Sequence, residues 1–149
     1  MFFNQKLIIN ILSILIFLIP IGLVAGPFVA DLFLVVFTII FLITIFYTKN
    51  YKYIYSKFIY FFLLFYFYIL FLSLFSDNIY LSLESSLFYF RFGLFSVGVW
   101  YVLDNNTKFF KYFFYILLFT FIIVIFDAYF QFFTGTNLFG FPKDEMRIS

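Results

Sequence analysis

Residues 7–30 read LIINILSILIFLIPIGLVAGPFVA: 24 consecutive residues without a charge, bounded by Lys6 and Asp31. A helix needs about 20 mostly apolar residues to cross the hydrocarbon of a bilayer, so this stretch is long enough for one span and too long for a helix buried in a small soluble core. Pro20 and Gly22 interrupt it late, and Gly26-Pro27 closes it, which places a first span at about 7–25. The first 26 residues also fit a signal peptide, with Lys6 as the basic end and Val24-Ala25-Gly26 as small cleavage residues. The apolar stretch is long for that, and further apolar runs follow, so a retained first span is the reading adopted.

Outward from this stretch the pattern repeats. A second span runs from about 28 to 47, with Asp31 near its start. The basic loop from Lys49 to Lys57 carries three lysines among tyrosines and is explained by orientation and interfacial anchoring. A third span, about 58–75, ends at Ser76-Asp77-Asn78, a turn composition. A fourth is expected over 83–103, with the Ser82 hydroxyl as its cap and Glu84 in its first turn. It ends at Asp104-Asn105-Asn106. The fifth runs over 109–133, and residues 134–149 form a polar tail. Membrane strands would require alternation of polar and apolar residues, which these runs lack. The predicted fold is therefore all-α: one polytopic helical membrane domain of about five spans.

Composition agrees. Of 149 residues, 66% are hydrophobic and 11% charged, against roughly half and a quarter in soluble domains. The 31 Phe and 13 Tyr track an AT-rich coding bias in Ile, Asn and Lys and carry little functional weight. No Cys and no His are present, which excludes disulfides, thiol nucleophiles, the usual zinc sites and a Ser-His-Asp triad within these residues. The carboxylates form no paired motif, so neither a metal nor another cofactor is expected. A net charge of +2, dispersed along the chain, gives no nucleic-acid interface.

The lysines set the expected orientation. With the N-terminus cytoplasmic, Lys6, Lys49, Lys52, Lys57, Lys108 and Lys111 lie inside, and only Lys143 and Arg147 lie outside, in agreement with the positive-inside rule. The C-terminal tail is then periplasmic. Three charges lie inside apolar runs: Asp31, Arg91 and Asp127. Counted from the lysine of the same helix at 1.5 Å per residue, they sit ~27, ~26 and ~24 Å up, in one outer layer. An Arg91–Asp127 ion pair between the antiparallel fourth and fifth helices is the expected contact, and Gln131 extends the polar stripe of Asp127. Such a pair can be purely structural or snorkel to the interface. It can also form an outward-facing pocket in which the guanidinium meets a phosphate.

The segment from Asp127, D-A-Y-F-Q-F-F-T-G-T-N-L-F-G-F, and the closing Arg147-Ile148-Ser149 resemble a stretch of the bacterial O-antigen ligase and O-antigen polymerase family. Asp127, Gln131, Gly135, Asn137, Gly140, Arg147 and Ser149 carry the likeness. Tyr89-Phe90-Arg91-Phe92 resembles that family's Tyr-x-Arg-Phe pattern, and Gly26-Pro27 is similar to the turn between its early spans. The resemblance implies a multi-pass protein of the bacterial inner membrane. It also implies a metal-independent glycosyltransferase role on the periplasmic face, with undecaprenyl-diphosphate-linked glycan as partner, in lipopolysaccharide or surface polysaccharide synthesis. Arg91, Asp127, Gln131 and Arg147 are then the candidate substrate contacts. Members of that family have about ten or more spans and a large periplasmic loop, so the chain is expected to be the N-terminal part of something longer and inactive alone. The competing expectations are a small transporter or channel component and a non-catalytic accessory subunit.

Overall fold

The computed structural model describes residues 5–136. The regular elements are six helices: α1 Gln5–Ala25, α2 Pro27–Thr48, α3 Lys57–Ser73, α4 Ile79–Leu87, α5 Phe90–Asn105 and α6 Phe109–Thr134. Four stretches are long and apolar enough to cross a membrane: α1, α2, α4 together with α5, and α6. α3 is a shorter apolar helix of 17 residues, about 25 Å long at 1.5 Å per residue. The chain is thus an all-α, multi-pass membrane protein.

The centre is an antiparallel hairpin of α1 and α2 with α5 laid against it. Leu12, Phe37, Phe41, Ile45, Val97 and Val102 are fully enclosed there. Small residues set the approach of the backbones. A Cβ on Gly22 would lie 3.2 Å from the backbone of Ala30 in α2, and one on Gly98 would lie 2.5 Å from the ring of Phe37. Gly93 leaves room for the ring of Phe62 in the same way. Both α5 glycines are therefore close-packing points. This is how helices associate in lipid, where packing rather than expulsion of water drives contact.

Hydroxyl groups inside the spans follow one rule. Ser13, Thr38, Thr44, Ser73 and Thr120 each donate to the carbonyl four residues earlier, at 2.7–2.9 Å. That bond satisfies the hydroxyl without a partner helix. At the lysine-bearing end, Tyr53 from the 49–56 loop is buried edge-on against Trp100 and Tyr101, with ring centroids 5.6 and 5.3 Å away. Its hydroxyl donates to Asp104 at 3.2 Å. Burial first, then the Asp104 carboxylate, push the Tyr53 phenol above its ordinary value.

α6 is held differently. Its first turn is anchored, with Phe109 buried and Phe17 of α1 stacked on Phe109 and Phe113 at 5.1 and 6.3 Å. Beyond that, most of its apolar side chains are exposed. Lys49 caps α2 in the left-handed conformation, φ 54°.

Candidate functional site

The fourth span differs from its expectation in two respects. It begins at Ile79 rather than near residue 83, because the Asn78 side chain accepts from the Leu81 amide at 3.4 Å and caps it. Ser82 lies inside the helix, and its carbonyl accepts from Ser85 and Ser86. The span is also broken. At Phe88–Tyr89 the helical ladder gives way to tighter bonds from Tyr89 N–H to Ser86 and from Phe92 N–H to Tyr89, both 3.1 Å.

Two serines account for the break. The hydroxyls of Ser85 and Ser86 compete for the carbonyls of Leu81 and Ser82 in the turn before it, a behaviour that bends helices. A loosened carbonyl in lipid needs another donor. Leu87 finds one in the hydroxyl of Tyr66 on α3, at 3.1 Å. Ser86 and Ser73 of α3 also hydrogen-bond each other at 2.5 Å, which ties α4 to α3 on the near side of the break.

Arg91 is the second residue of α5, immediately past the break. A cation there opposes the positive end of the helix dipole. Its Nη1 donates to Asp31 Oδ2 of α2 at 2.7 Å. In place of the expected Arg91–Asp127 pair the structure therefore joins Arg91 to Asp31. The reason is helix order: α5 lies along α2, and the contact of α5 with α6 is slight. Both members of the pair are partly exposed, 27% and 37%, so it opens to its surroundings rather than lying sealed in the core. The guanidinium also lies over the ring of Phe92, 5.2 Å from its centroid, and its Nε is buried with no hydrogen-bond partner among the described residues.

An open hollow of about 430 Å³ adjoins the pair, lined by Ser85, Phe88, Tyr89, Arg91 and Phe92. Hydroxyl groups and a cation thus face an aromatic wall at the end of the bundle opposite the lysines. Asp127 and Gln131 share one half-buried face of α6, but the structure does not join them to Arg91. Arg147, Asn137 and Gly140 lie outside the described residues. No group of three or more metal-ligating side chains is gathered among the described residues. Asp31 and Ser85 are the site residues that the sequence reading did not single out as substrate contacts. The doublet Ser85-Ser86 so close before an intramembrane arginine is the signal that marks Ser85, and the shared height with Arg91 is the one that marks Asp31.

Compared with known proteins, the chain matches no protein-family model, no curated protein and no solved structure.

Proposed function

We propose that this bundle is a membrane portion of an O-antigen ligase- or polymerase-like transferase of the bacterial inner membrane, in which Arg91 contacts the diphosphate of an undecaprenyl-linked glycan on the periplasmic side. The observation that carries the reading is an arginine fixed by Asp31 beside an open hollow at a break in a membrane span. One bond to Asp31 leaves further N–H groups of the guanidinium for an anion, and arginine suits phosphate by shape as well as charge. Intramembrane charges are costly and mark functional sites by default. The sequence likeness around Asp127, Gln131 and Arg147 supports the same substrate class.

Titration of the purified protein in nanodiscs with undecaprenyl diphosphate, read by native mass spectrometry, tests this. Arg91→Lys should weaken binding about tenfold or more, the worth of one charge-assisted hydrogen bond. The exchange Asp31→Arg with Arg91→Asp should recover thermal stability without recovering binding. Equal binding by Arg91→Lys and wild type would reject the reading. For the orientation, a reporter active only outside the cytoplasm should be active when fused after Ser149 and silent when fused at Asn50.

The break at Phe88–Tyr89 favours a second reading, a transporter component, because discontinuous helices build substrate sites in transporters. Proteoliposome flux that depends on Arg91 and Asp31 while undecaprenyl diphosphate fails to bind would select it.

A further inference from the structure

The lysine-bearing end of the bundle contains an open cleft of about 930 Å³. One wall is a polar stripe on α1: Lys6, Asn10 and Ser13, spaced so that they share a helix face. The other wall is the turn between α5 and α6, with Asn106 and Lys108. Ser13 forms the floor at 4% exposure. Its hydroxyl donates to the Ile9 carbonyl at 2.8 Å and accepts from Asn106 Nδ2 at 3.0 Å. Asn106 Oδ1 in turn accepts from the Lys108 amide at 3.2 Å. These bonds fix the rim that carries Lys108. Two ammonium groups thus border the cleft, and no Asp or Glu lines it among the described residues. Lysines that serve only as interfacial anchors require neither a cleft nor a buried polar floor.

Deeper along α1 a crevice of about 590 Å³ runs between α1, α5 and α6, lined by Ile16, Pro20, Val99, Leu117 and Val124 among other apolar side chains. Its one hydroxyl, on Thr120, is already bonded to the Ile116 carbonyl at 2.8 Å. Only hydrocarbon suits it, and its volume lies within the roughly 300–1,000 Å³ of ordinary ligand sites. Cleft and crevice meet at an aromatic stack: Phe17 faces the cleft, while Phe109 and Phe113, on which it stacks, face the crevice.

We propose that cleft and crevice together hold one anionic glycerophospholipid, its phosphodiester between Lys6 and Lys108 and one acyl chain between α1, α5 and α6. Basic pockets between membrane helices are recognised by anionic headgroups. A wholly apolar helix laid in the crevice would leave the two lysines of the cleft without a counter-charge, whereas an amphiphile with one phosphate and one chain satisfies both. The site lies at the opposite end of α5 from Arg91 and stands or falls independently of it.

Protein reconstituted in phosphatidylcholine nanodiscs doped with phosphatidylglycerol, then released for native mass spectrometry, reports which lipid stays bound. Phosphatidylglycerol should be retained selectively. Lys6→Gln with Lys108→Gln should weaken its retention about thirtyfold, two lysine contacts' worth, while Lys49→Gln with Lys57→Gln leaves it unchanged. Equal loss in both lysine pairs would mean general surface attraction and overturn the site. Because a paired substitution can disturb folding, wild-type protein is also tested with phosphatidylglycerol bearing a photoreactive group at the end of its chain. Adducts on Leu117 to Val124 and on Pro20 support the crevice. Adducts spread over the outer face of α3, or displacement of the lipid by inorganic phosphate, overturn it.

Discussion

α2 and α6 are similarly long and similarly apolar, yet 39% of the span of α2 is buried within the fold and 11% of that of α6. In water such a difference would follow from hydrophobicity. In lipid it does not, because a leucine loses little by facing an acyl chain, and helices associate only where their surfaces fit. α2 offers Ala30 to Gly22 and its Phe37 to Gly98. α6 has no glycine and a single alanine, Ala128, between Phe109 and Thr134, so bulky rings hold its flanks away from neighbours. The contrast teaches that in this chain small residues, rather than apolar ones, write the packing.

The contrast is broken or sharpened most strongly by paired truncations. Phe41→Ala, at a fully enclosed ring, should cost about 3 kcal/mol, and Phe126→Ala, at a ring 61% exposed, less than about 1 kcal/mol. Reversible unfolding in mixed micelles measures both. A comparable loss for Phe126→Ala would show that α6 has a partner beyond the residues described. Next in size is overpacking: Gly98→Val should destabilise by about 2 kcal/mol as Phe37 is forced aside, while Ala128→Val on α6 leaves the unfolding midpoint in place.

A smaller effect belongs to the hydroxyl contact before the break. Ser86→Ala should cost about 1 kcal/mol and should speed proteolysis at Phe88–Tyr89, because α4 loses its tie to Ser73; an unchanged cleavage rate would argue that Tyr66 alone holds the break. The smallest effect is at Tyr53. Its folded phenol titrates above the ordinary value near 10, so its contribution is complete below that pH and is lost as pH rises through the elevated value. Tyr53→Phe should therefore lower stability slightly at pH 8 and flatten the alkaline fall in thermal midpoint between pH 9 and 12. A variant that falls as steeply as wild type would assign that slope to another group.

Much of the architecture was legible because membrane helices are written by length and charge. The interval from Lys6 to Asp31 marked α1, and the clustered lysines marked one end of the bundle. The in-helix hydroxyls obey a local rule that needs no knowledge of neighbours, since the bond of Ser13 or Thr38 to a carbonyl involves only its own helix. The site was half legible. Counting rise along each helix correctly put Asp31 and Arg91 at one height, but height is a single coordinate and says nothing of azimuth or helix order. Three charges in one layer can pair in more than one way, and only the adjacency of α5 to α2 selects Asp31 for Arg91. The start of α4 was missed because Asn78 and Ser82 are both good caps, and the choice between them depends on the turn that precedes them.

The junction of α1 and α2 has a consequence for how the protein is made. A single residue, Gly26 at φ 146°, separates Ala25 from Pro27, in a region of backbone space essentially reserved for glycine. A tip this short leaves no loop to be carried across the bilayer after α1 has settled. Two helices joined so tightly are expected to enter the membrane as one closed unit during synthesis, with Lys6 and Lys49 together at its open end.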